Sequence, residues 1–258
     1  MNRRFKPLVG ASLAILVAGA AAAQSTATPT DAQIGDSRLA VSTLVREDIF
    51  AGFLGADMTA LARGEANLDK LYTARPNARG ETRAWQAGAA MYRAVRAREA
   101  GNNAEYATLY AKALGYLTEA DQFVATQPVV SAIGGGLAVL WGDRVAPADR
   151  APLWNRAYGY FQGLTNAQAP VIAALPPHIR GESLGGLVMA AQRSGREAEA
   201  NAALEKFLPL AAGTPYEANA LKWKNDPSSR ATTNLGCLSC HDDGRLAPTV
   251  RRLPVPAA

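Results

Sequence analysis

Two cysteines and two histidines are all that this chain carries. So small a stock of nucleophiles and bases leaves little for hydrolytic chemistry, and neither Gly-x-Ser-x-Gly nor His-Glu-x-x-His occurs. Aromatic residues make up only 7% and runs of β-branched residues are few, while alanine recurs throughout. That composition argues against strands and for helix. After residue 23 no apolar run is long enough to span a membrane.

What the chain does have is concentrated in Cys237-Leu238-Ser239-Cys240-His241, which holds both cysteines and one of the histidines. On a helical turn, residues at i, i+3 and i+4 share one face, so two thiols and an imidazole can meet one ligand. Thr232, Thr233 and Asn234 just upstream are N-cap types that can start such a turn, and Leu235 and Leu238 place apolar side chains beside it. C-x-x-C-H is the spacing of a c-type haem attachment site, and over these five residues the chain resembles c-type cytochromes. The resemblance implies one covalent haem c, thioethers from Cys237 and Cys240, His241 as proximal iron ligand, and attachment after export. Arg245, together with Arg230, Arg251 and Arg252, is near enough in sequence to pair with haem propionates.

Two other readings of the motif stand beside this one. A C-x-x-C disulfide does not need His241 and usually sits at a strand-to-helix junction; no strand pattern precedes Cys237. A structural zinc site needs four ligands, so His178 and carboxylates would have to complete it.

The N-terminus suggests export. Residues 1–6 form a basic n-region with Arg3, Arg4 and Lys6, 8–20 an apolar h-region, and Ala21-Ala22-Ala23 before Gln24 an A-x-A cleavage site. The expectation is a signal peptide over 1–23, cleaved near Ala23/Gln24, and a periplasmic mature chain without a membrane span. A retained anchor is the alternative, although 7–23 is short for a span. No cysteine follows the cleavage site, so a lipoprotein is not expected. Loss of Arg3, Arg4 and Lys6 takes Lys+Arg from 27 to 24 against 22 Asp+Glu, a formal charge of +2. So balanced a chain gives no reason to expect a nucleic-acid partner.

The remainder reads as a flexible linker over 24–36, an all-α domain over 37–225, and a C-terminal segment over 226–258 that carries the motif. Within the domain, apolar positions at helical spacing predict one helix from 37 through 61 and a second over 65–75. Further pairs follow: 81–100 with 105–126, 129–141 with 148–163, and 182–193 with 197–212, then a last helix over 216–224. Helices of similar length joined by short turns lie antiparallel. Gly134-Gly135-Gly136 costs helix propensity, and close packing against a neighbour is the expected compensation. Arg-Gly-Glu occurs at 63–65, 79–81 and 180–182, each expected to open a helix.

The fourth pair carries Leu187, Ala191, Ala203 and Phe207, with Pro215 closing it. In these residues it resembles a tetratricopeptide repeat. The resemblance implies antiparallel helix pairs stacked as an array with a protein-binding surface.

The 17 residues after His241 contain no His, Met, Cys or Lys, so a strong second axial ligand has to come from the helical body or a partner. His178, in a proline-rich stretch, is the first candidate; Met58, Met91, Met189, Lys222 and Lys224 follow. The expected function is covalent haem binding and electron transfer with a redox protein partner docked on the helical platform. The alternative is a protein-binding scaffold whose C-x-x-C is a disulfide or a redox or haem sensor. No catalytic residues are assigned; peroxidase-like activity at an open haem is the one enzymatic reading the motif leaves open.

Overall fold

The computed structural model describes residues 29–233. Among them there is no strand, and the helices pack as antiparallel neighbours in chain order. The first pair is α2 (Val41–Gly55) and α3 (Met58–Ala74), the second α4 (Arg79–Glu99) and α5 (Asn103–Asp121), and the third α6 (Pro128–Gly142) and α7 (Pro147–Gln168). The fourth pair opens with a rod made of α8 (Pro177–Arg180), a π-helical turn (Gly181–Gly185) and α9 (Gly186–Arg193), and returns as α10 (Glu197–Ala211). Ahead of the pairs lies α1 (Asp31–Gly35), and behind them α11 (Glu217–Asn225) and a 3-10 turn (Pro227–Ala231). α6 packs on α4, α9 on both α7 and α6, and α11 on α10. The result is the expected all-α array of stacked pairs.

Turn chemistry sets the pair boundaries. Gly101 (φ 79°) and Gly195 (φ 73°) take the left-handed conformation at the tight turns of the second and fourth pairs. Asn102 then caps α5 by accepting the Glu105 amide.

The first pair differs from the expectation of a single helix from 37 through 61. Ala56 adopts φ 54°, and Asp57 accepts the amides of Thr59 and Ala60, so one helix ends and another starts between Gly55 and Met58. The fold also takes up part of the stretch expected to be a linker. Thr30 and Gln33 form a capping box for α1, Ile34 is buried, and the Arg75 guanidinium donates to the carbonyls of Gln33, Ile34 and Leu39.

The main core is a continuous apolar cluster running through all four pairs, with a small second cluster of Ala84, Ala120 and Val130. Phe53, Tyr92 and Trp141, with ring centroids 5.0–5.2 Å apart, join the first three. Gly134 and Gly135 play the expected packing role: a Cβ on either would lie 2.8 Å from the Tyr160 or Phe161 ring, whereas one on Gly136 would meet nothing within 4 Å. Phe161 is also met from α9 by Gly186, so its ring is wedged between two helices.

Of the three Arg-Gly-Glu copies only 79–81 opens a helix; 63–65 lies inside α3 and 180–182 inside the rod. The helix starts are set instead by Asp57 and by Pro177 at the first helical position. The glycines share a different purpose. A Cβ would come within 2.9 Å of Ile49 at Gly64, 2.5 Å of Phe123 at Gly80 and 2.5 Å of Tyr216 at Gly181. The glutamates do not share one: Glu65 pairs with Arg93, and Glu81 accepts the Ser42 amide at the start of α2. Burial pushes the Glu81 carboxyl up, against that bond.

Candidate functional site

The chain does not break away from the array after α11. Asp226 caps the 3-10 turn by accepting from Ser228, and that bond holds its carboxyl below the usual range. The turn packs against α9 and α11. Two arginines that are almost wholly buried hold it there.

Arg193, the last residue of α9, has a side chain only 2% exposed. Its guanidinium grips Asp143, at the C-terminal end of α6, through Nε (3.1 Å to Oδ1) and Nη2 (2.9 Å to Oδ2). This two-point pair ties the third helical pair to the fourth. The remaining donors reach forward along the chain, Nη1 to the Arg230 carbonyl at 2.9 Å and Nη2 to the Thr233 carbonyl at 3.2 Å. A hydrogen bond from a charged donor contributes about 1.5–3 kcal/mol.

Arg230 points back into the array. Its Nε donates to the Trp223 carbonyl at 3.1 Å and its Nη1 to Asn201 Oδ1 at 2.7 Å. Burial lowers its pKa, with Glu197 opposing. Arg230, expected as a cation for haem propionates, is therefore buried against α10 and α11 instead. Trp223, fully buried, completes the anchor by donating its indole N–H to Thr233 Oγ1 at 3.1 Å; that hydroxyl donates in turn to the Ser229 carbonyl at 2.7 Å. Thr233, expected to cap a following helix, uses its side chain on what precedes it.

Cys237, Cys240, His241 and Arg245 lie outside the described residues. Thr233, the last of the described residues, is held at the end of the array built by α9, α11 and the C-terminal end of α6.

The other expected ligands sit at different distances from this anchor. Lys222 and Lys224 flank Trp223 on α11 and are exposed, so they are the described candidates beside it. His178 is exposed as well, but it occupies the first turn of α8 rather than a loop. Fifteen residues of helical rod put it about 22 Å from Arg193 along the axis. Met91 and Met189 are core residues at 2% exposure, and Met58 is half-buried against the core. No group of three or more His, Cys, Asp or Glu able to hold a metal occurs among the described residues.

One titratable group stands apart from the anchor. Glu182 lies in the π turn, a local geometry that recurs at functional sites, and burial raises its carboxyl to about 7. Its neighbour Ser183 is fully buried, and Thr165 Oγ1 donates to the Ser183 carbonyl at 3.4 Å.

Sequence reasoning found the motif and missed the anchor. Arg193, Asp143 and Arg230 have no distinguishing sequence context, since what makes them special is burial created by stacking the third pair on the fourth. No described helix is long and apolar enough to cross a membrane. Compared with known proteins, the chain matches no family model, no curated protein and no solved structure.

Proposed function

We propose that the protein is a periplasmic, mono-haem c-type cytochrome-like electron carrier, in which a stack of helix pairs holds a C-terminal haem segment and offers the surface for a redox protein partner. The observation that carries this reading is Cys237-Leu238-Ser239-Cys240-His241, two thiols and one imidazole at attachment spacing, in a chain that begins with a signal-like segment. The donor set fits a haem: two thiols for its vinyl groups and an imidazole for its iron. A haem held there supplies one-electron chemistry at iron. The chain's own contribution is placement: the Arg193–Asp143 pair, Arg230 and Trp223 keep the entry to the motif against the array. The described candidates for the iron's second axial position are His178, Lys222 and Lys224, all exposed, because Met91 and Met189 are occupied in core packing.

A second reading is favoured by the architecture. Stacked antiparallel pairs make an extended binding surface, so the array would be the active part and Cys237–Cys240 a disulfide or sensor. Pull-down of periplasmic proteins by wild type and by a Cys237→Ala/Cys240→Ala variant separates the two. The cytochrome reading expects haem absorbance in wild type and loss of reducible redox activity in the variant. Partner capture equal in both, with no haem in wild type, would leave the scaffold reading standing instead.

A further inference from the structure

We infer that the junction between the end of α7 and the π turn of the rod binds a small monocarboxylate, held by the Nε–Nη2 edge of Arg180 and the hydroxyl of Ser183. The register of the two helices brings these groups together. Phe161 on α7 packs against Gly186, and one turn further along both helices Thr165 Oγ1 donates to the Ser183 carbonyl. α7 and the rod run antiparallel, so the next turn sets Gln168 opposite Arg180.

The polar groups at this junction do not satisfy one another. Ser183 is fully buried, and its Oγ has no partner among the described residues. The same holds for two further buried atoms, Arg180 Nε and Gln168 Oε1. Buried polar atoms are nearly always bonded, so their convergence on facing turns points to another molecule.

Arg180 indicates what that molecule carries. Its Nη1 donates to the Ala173 carbonyl at 3.1 Å, which orients the guanidinium. Arg38, Arg63, Arg93, Arg144 and Arg193 each use the Nε–Nη2 edge to clasp both oxygens of one carboxylate. On Arg180 that edge meets no carboxylate among the described residues, and 169–181 contains no Asp or Glu. Glu182 does not supply the counter-charge, since burial raises its carboxyl to about 7 with no contribution from Arg180. A water would satisfy Nε and leave the cation unpaired, whereas a carboxylate answers both and accepts from Ser183 as well. The Gln168 amide adds a donor when Nε2 faces inward, since its O and N positions are interchangeable. Ile172 and Leu175, in and just after the turn that carries Ala173, are half-buried and apolar, which suits a short aliphatic tail.

Butyrate is the probe, and butyramide, of the same size without the charge, is its control. Both are titrated by calorimetry into the full chain at constant ionic strength and about pH 6, where Glu182 keeps its proton. Wild type should bind butyrate at one saturable site in the millimolar range and butyramide about tenfold more weakly or less. Arg180→Lys, which keeps the charge and loses the fork, should weaken butyrate about tenfold or more. Ser183→Ala should weaken it about fivefold. That variant should also unfold at the wild-type temperature or above without butyrate, because the hydroxyl it removes is unbonded, so it remains informative should Arg180→Lys fail to fold. Absence of saturable butyrate binding, or butyramide bound as tightly, would overturn the inference. An affinity unchanged in either folded variant would place the ion elsewhere on the chain and overturn it as well.

Discussion

Three consecutive glycines in α6 allow the packing argument to be tested within a single turn of helix. Replacing Gly136 by Ala adds a methyl group where nothing lies within 4 Å, so only the propensity gain operates, about 1 kcal/mol of stabilisation. Gly135→Ala gains the same amount and then forces a Cβ to 2.8 Å from Phe161 Cε2 and 3.0 Å from Cζ. The ring cannot retreat easily, since Gly186 approaches it from α9. Overpacking of this kind costs about 1–3 kcal/mol, so the net effect is neutral to about 2 kcal/mol destabilising. Gly134→Ala meets Tyr160 in the same way, and Tyr160 is held by the bond from its hydroxyl to Asp121. Thermal unfolding of the three variants should order them Gly136→Ala above wild type, with the other two level with it or below. At about 2–4 °C per kcal/mol for a chain of this size, Gly136→Ala and Gly135→Ala should differ by roughly 5 °C. Equal stabilisation by all three would refute the close-approach explanation.

Other perturbations give equally definite outcomes. Because burial raises the Glu182 carboxyl from 4.5 to about 7, the folded chain holds that proton more tightly than the unfolded chain. Its stability contribution is complete below pH 4.5 and is lost as pH rises towards 7. The shift corresponds to at most about 3 kcal/mol, less for a partly exposed side chain. Glu182→Gln should therefore stabilise the protein at pH 8 and do little at pH 4; urea titrations showing the same change at both values would contradict this. His178 is the one imidazole among the described residues and is exposed, so His178→Ala should abolish a low-spin haem spectrum; an unchanged low-spin spectrum would remove it as the second axial ligand.

The second, third and fourth helical pairs were legible because their apolar residues recur at the helical period and glycine or proline marks their joints. The break inside the first pair was not: Gly55 and Asp57 flank it, but the apolar spacing runs on across them and Ala56 itself carries no sequence signal for a left-handed conformation. The docking of α1 escaped notice for a different reason: Arg75 holds it through main-chain carbonyls, which no sequence pattern displays. At the candidate site, the motif was visible from spacing alone. Its anchor was not, because Arg193, Asp143, Arg230 and Trp223 acquire their roles only when the fourth pair stacks on the third. Arg230 was misjudged as a surface cation on proximity in sequence, and burial corrected it.

The most direct measurement is of the covalent bond that the motif implies. The full chain, expressed in cells equipped for c-type haem maturation, would be denatured, separated from free haem and examined by mass and by haem absorbance. The account expects one haem to remain on the chain and to be lost in the Cys237→Ala/Cys240→Ala variant. A haem-free chain with a mass two protons below the reduced form would contradict it and make Cys237–Cys240 a disulfide.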